Sequence, residues 1–121
     1  MKTILYVDNP QNLPSGLHKE FGMNGQTIFL LPTGKAAINE IDTIKPDLII
    51  CNITSPEISG IVLLFHLSLS ATNIPCIALI GQSRFDNDYF IEMASVLKVK
   101  RILIKPLTIE TLINTVVEVL G

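Results

Sequence analysis

Three polar residues stand where apolar runs end. Asp8 follows Thr3–Val7 (TILYV), Asn52 follows Leu48–Cys51 (LIIC), and Lys105 follows Arg101–Ile104 (RILI). Polar groups at the carboxyl ends of buried strands matter because open α/β sheets place their ligands and chemistry there. A carboxylate at such a place can cap a helix, hold a metal or act as a nucleophile. Two readings therefore stand side by side for Asp8: a cap paired with Lys105, or a metal or acceptor group. Lys105 can pair with Asp8 or hold an anion. Asn52 brings a neutral carboxamide, a poor nucleophile. It can satisfy loop amides or hold one conformation of the loop. His18 and His66 have no ligand spacing, so neither is assigned to a metal. There is no nucleophile–base pair and no glycine-rich phosphate loop, so nothing points to an enzyme.

The elements that must position these residues alternate along the chain. Thr3–Val7 reads as a strand, closed by the turn chemistry of Asp8, Asn9 and Pro10. Pro14, Ser15 and Gly16 make the next helix a poor one. Because proline is tolerated only in the first turn, the expected start is near Leu13 and the end at Phe21. Gln26–Leu31 is a second strand. Thr33 caps a helix whose Ala37, Ile38, Ile41 and Ile44 keep helical spacing, and Pro46 stops it. Asp47–Asn52 is the third strand, with four apolar residues in a row, as in a strand buried on both faces. A helix from Gly60 to about Leu69 follows, then a strand over Pro75–Ile80 and a loop over Gly81–Ser83. A fourth helix from Arg84 or Phe85 to Leu97, a short strand over Arg101–Ile104 and a helix over Ile109–Leu120 capped by Thr108 complete the chain. Five strands alternating with five helices predict a parallel sheet covered on both sides. The flavodoxin-like (βα)5 order 2-1-3-4-5 is the usual solution, and it brings the ends of strands one, three, four and five to one pocket.

At 121 residues the chain is expected to form one domain over 1–121, long enough to bury a core without staples. Nine basic and eleven acidic side chains give a net charge of −2, which argues against nucleic-acid binding. Lys98, Lys100 and Arg101 form a solvated corner rather than a nucleic-acid site. Cys51 and Cys76 lie in apolar runs and form no disulfide framework. Charged side chains are missing between Glu57 and Arg84, but Ser68, Ser70, Thr72, Asn73 and Pro75 break that stretch, so no membrane span is expected. The amino terminus has no signal-peptide pattern, and the expected location is the cytoplasm.

Pro46–Gly60 (PDLIICNITSPEISG) resembles the core motif of the receiver domain of bacterial two-component response regulators. In that family the strand ends in a phosphoacceptor aspartate, with a Pro and a Gly at the spacing of Pro56 and Gly60. Lys105-Pro106 matches the family's Lys-Pro. The resemblance places the family's acidic pair at Asp8 and Asn9, the phosphoacceptor at Asn52, the hydroxyl residue ending strand four at Ile80 with Gly81 after it, and the strand-five aromatic at Ile102. Phosphoryl transfer to a receiver needs a carboxylate nucleophile, Mg²⁺ and a cation. The family's three carboxylates and one lysine give a pocket charge of about −2, whereas Asp8 and Lys105 sum to about zero. Ile80 offers no hydroxyl and Ile102 no ring.

The expectation is a pseudo-receiver: a signal-transduction module with a degenerate site at Asp8, Asn9, Asn52, Ile80, Ile102 and Lys105. It should bind Mg²⁺ weakly or not at all, use no other cofactor, and act through protein–protein contacts. An ordinary phosphorylatable response regulator and a small-molecule-sensing module are the alternatives. The resemblance turns Leu63, Leu64 and Leu67 of the third helix toward the sheet. Val62, Phe65 and Leu69 then form an outward stripe beside His66, a candidate interface. Expected partners are a histidine kinase, an output domain or a second copy.

Overall fold

The computed structural model describes residues 1–81 and 87–121. Five parallel strands form one sheet: β1 (Lys2–Val7), β2 (Gln26–Leu31), β3 (Leu48–Asn52), β4 (Cys76–Ile80) and β5 (Arg101–Ile104). Their order is 2-1-3-4-5, the flavodoxin-like arrangement. Helices α1 (Leu17–Met23), α2 (Gly34–Ile44), α3 (Gly60–Ser68), α4 (Asn87–Val96) and α5 (Ile109–Leu120) connect and cover them.

Strand alternation divides the core in two. Leu5, Val7, Ile49, Cys51, Ala78 and Ile80 pack with residues of α2, α3 and α4 on one face. Ile4, Tyr6, Ile50, Ile77 and Leu79 pack with residues of α1 and α5 on the other. Every residue of β3 and β4 is buried, as continuous apolar runs in a doubly covered sheet require.

Capping fixes where helices begin. The Thr33 and Thr108 hydroxyls accept from the amides of Ala36 and Thr111 at 3.0 and 3.1 Å. α2 ends at Lys45, which turns left-handed (φ 50°) ahead of Pro46. The first helix starts later than the sequence predicts. Asn9 caps a 3₁₀ turn over Pro10–Asn12, Gly16 adopts φ 76°, and α1 begins only at Leu17, not near Leu13. The left-handed glycine ends the irregular stretch that Pro14 and Ser15 prolong. The expected start of the fourth helix at Arg84 or Phe85, and most of the expected Gly81–Ser83 loop, lie outside the described residues. Among the described residues, no helix is long and apolar enough to cross a membrane.

Two glycines hold the loop after β3. A Cβ on Gly60 would overlap the Asn52 carbonyl oxygen, and one on Gly34 would overlap that of Ser59. The Gly34 amide donates to the Ile58 carbonyl at 2.6 Å, which docks the start of α2 onto the same loop.

Candidate functional site

The parallel register sets Val7 beside Cys51, Cys51 beside Ala78, and Ile80 beside Ile104. Asp8, Asn52, Gly81 and Lys105 consequently emerge together at the carboxyl end of the sheet. Asp8 and Asn52 are 3% and 4% exposed. The Lys105 ammonium lies 2.6 Å from Asp8 Oδ2. Asn52 Nδ2 donates to Asp8 Oδ1 at 3.1 Å, and the Asn9 amide donates to the same oxygen at 2.7 Å. The other side of the Asn52 carboxamide faces Thr54. Asn52 Oδ1 accepts from both the amide and the hydroxyl of Thr54, each at 2.9 Å. The Thr54 hydroxyl in turn accepts from the Gly81 amide at 2.9 Å. The chain of bonds thus runs from the end of β5 through those of β1 and β3 to the residue after β4.

Thr54 is the member that the sequence reading missed. Its amide bond to a side chain two residues earlier is an Asx turn, legible in the Asn52-Ile53-Thr54 spacing. Its hydroxyl ties the loop after β3 to the residue after β4, through the Gly81 amide. Asn9 does not join the network through its side chain: Asn9 Oδ1 accepts from the Gln11 amide at 3.0 Å and caps the following turn. Ile80 is fully buried in the α2–α4 side of the core, and Ile102 is half-buried against the same cluster. On α3, Leu63 and Leu64 are buried, while Val62, Phe65 and Leu69 are 51%, 45% and 89% exposed, with His66 exposed beside them.

The donor set does not fit Mg²⁺. That ion asks for near-octahedral, hard oxygen ligands. Here the carboxylate is Asp8, whose oxygens already accept from a lysine, an amide and a carboxamide. The Asn9 carbonyl is committed to its turn. Among the described residues, no three His, Cys, Asp or Glu side chains gather closely enough to hold a metal.

A cleft of about 710 Å³ opens over the network, lined by Asn52, Thr54, Gly81 and Lys105 and bounded by the segment after β1 and the loops after β3 and β5. Tyr6 lines it, 1% exposed, with a hydroxyl that has no hydrogen-bond partner among the described residues. Burial, and then the negative charge of Asp8, push the Tyr6 pKa well above its ordinary value.

This arrangement of strand ends has a family. Residues 4–117 match the response regulator receiver domain. The chain belongs to that family. Receiver domains are signalling modules of two-component systems that work with kinases and output domains. Among curated relatives, this receiver domain is 32% identical over 105 residues to the Regulator of RpoS of Escherichia coli K12. Those residues are 87% of this chain but only 30% of the length of the relative. Among solved structures, the receiver domain of a Francisella response regulator is 27% identical, with a TM-score of 0.79 and coverage of 99% of this chain and 96% of that one. A chemotaxis response regulator of Vibrio cholerae shares the fold at 18% identity, with a TM-score of 0.81 and 98% of each chain covered.

Proposed function

We propose that this receiver domain is a pseudo-receiver that forms a single cytoplasmic module over 1–121. It signals through protein contacts and does not accept a phosphoryl group at position 52. The observation that carries this reading is the closed network around Asn52. The side chain at the strand-three end is a carboxamide. One of its amide hydrogens is spent on Asp8 and its oxygen on Thr54. A neutral carboxamide has no carboxylate oxygen to attack phosphorus. Asp8 is a poor substitute acceptor, since an ammonium and two N–H groups already occupy its oxygens. Ile80, buried in the core, and Ile102, half-buried against it, supply neither the hydroxyl nor the ring through which the family reads phosphorylation.

The partners of this reading are a histidine kinase, an output domain or a second copy. The surface is the exposed α3 stripe of Val62, Phe65 and Leu69 with His66, since apolar patches on otherwise polar surfaces mark interfaces. Nucleic acid is not among the partners, because a net charge of −2 supplies no phosphate-binding patch. Phe65→Asp should lower the molar mass in light scattering or weaken binding to a purified cognate kinase. If neither changes, the stripe is not the interface.

The test of the central claim is intact mass after incubation with acetyl phosphate and Mg²⁺, run beside Asn52→Asp. The native chain should gain no phosphoryl mass. Labelling of the native chain would overturn the proposal and make Asp8 the first acceptor to examine.

A further inference from the structure

The cleft over the network has the features of a binding site. Its apolar wall is built from Leu13 and Pro14 on one side and Pro106 and Leu107 on the other, and its volume of about 710 Å³ is that of a small-molecule pocket. Tyr6 and Lys105 also line it. Buried hydroxyls in folded proteins are almost always bonded, and an exception calls for an explanation. Among the described residues, the Tyr6 hydroxyl is such an exception. A tyrosine hydroxyl is protonated at neutral pH, and burial, then the Asp8 charge, raise its pKa further, so it stands as a donor awaiting an acceptor. Lys105 gives one N–H to Asp8, and an ammonium has three to give. The Asp8 and Lys105 charges cancel, so a singly charged anion meets no net repulsion.

We infer that this cleft binds a small monocarboxylate with a ring-sized apolar body, its oxygen accepting from the Tyr6 hydroxyl and its charge facing Lys105. The apolar body lies between Pro14 and Leu107. The Tyr6 hydroxyl is buried in the free chain, so binding includes a side-chain rearrangement that brings it to the cleft surface. The site deepens the small-molecule reading of the pocket and does not rest on the absence of phosphoryl transfer.

Benzoate, cyclohexanecarboxylate and benzamide are the probes, titrated without Mg²⁺ into the full chain and followed through amide shifts of Gly81 and Leu107. The two carboxylates should give saturable shifts with dissociation constants on the order of 1 mM, the range for ligands of so few atoms. Benzamide should bind at least several-fold more weakly. Tyr6→Phe should keep or raise the melting temperature of the free protein, since it removes an unbonded hydroxyl, and should weaken benzoate binding about tenfold. Leu107→Glu, which places a negative charge in the cleft wall, should abolish binding. Absence of saturable shifts, equal affinity for benzamide, or undiminished benzoate binding by Tyr6→Phe would each overturn the site. A lower melting temperature for Tyr6→Phe would overturn it too, because the hydroxyl would then have a partner within the folded chain. None of these outcomes bears on acetyl phosphate labelling, so the two proposals fail separately.

Discussion

Replacing Asn52 by Asp puts a second carboxylate against the first. In the native chain Asn52 Nδ2 donates to Asp8 Oδ1 at 3.1 Å. The variant loses that donor, and two negative oxygens face each other at the same place. At 3.1 Å and an effective dielectric of 20, two unit charges repel by about 5 kcal/mol. Side-chain relaxation lengthens the contact, and the Lys105 ammonium attracts both groups. These reduce the net cost of Asn52→Asp to about 2–4 kcal/mol at neutral pH without metal. With a urea slope of about 1.5 kcal/mol/M, the unfolding midpoint should fall by roughly 1–3 M.

The sign of the pH dependence follows from the same geometry. The crowded pair holds a shared proton more tightly than separate carboxyls in the unfolded chain, so the native variant binds more protons than the unfolded one. Its destabilisation is then fully present above the folded pKa of the pair and fades as the pH falls toward the unfolded carboxyl value of about 4. Mg²⁺ should restore stability to the variant and leave the native chain unmoved, because only the variant has two carboxylates to share an ion. Urea titrations at several pH values, with and without Mg²⁺, read all of this. An Asn52→Asp variant as stable as the native chain at neutral pH, with no response to acid or Mg²⁺, would refute the assigned contact between positions 8 and 52.

Three further outcomes are expected. Thr54→Val leaves the buried Gly81 amide without its acceptor and should cost about 1–3 kcal/mol, whereas Thr54→Ser should cost only about 1 kcal/mol for the lost methyl. Faster hydrogen exchange at the Gly81 amide in the Val variant alone would identify the hydroxyl as the cause. Gly60→Ala should destabilise by about 3 kcal/mol or more through overlap with the Asn52 carbonyl. Gly22→Ala, with open space around it in α1, should stabilise by about 0.5–1 kcal/mol, and chemical denaturation distinguishes the two. Burial pushes the Cys76 thiol up to about 12 and the Cys51 thiol well above the usual range. The unfolded thiols ionise near pH 8.5, so stability should be intact below that value and fall by up to about 1.4 kcal/mol per pH unit per thiol above it. Cys76→Ala should flatten that decline.

Much of the fold was legible because its signals are local. Gln26–Leu31 and Ile109–Leu120 occur with the bounds that periodicity and the Thr108 cap predict. Strand order brought Asp8 and Lys105 together, and they pair although 97 residues separate them. The start of α1 was not legible, since it depends on the left-handed turn at Gly16 rather than on where proline is tolerated. Asn9 was placed in the pocket by alignment, but its side chain answers to the turn that follows it. Thr54 escaped because half of its role depends on Gly81, 27 residues away on another loop. Tyr6 lies in the strand expected over Thr3–Val7, but no spacing rule says whether a buried hydroxyl finds a partner.

The close approaches at Gly34 and Gly60 have a consequence for substitutions at the site. The path of the loop after β3 is set by main-chain atoms: the Gly34 amide on the Ile58 carbonyl, and the bare α-carbons of Gly34 and Gly60 against the carbonyls of Ser59 and Asn52. No substitution at positions 52, 80 or 102 touches those atoms. Exchange of the reactive side chains therefore alters the local energetics of the site but leaves in place the main-chain contacts that set the path of the loop.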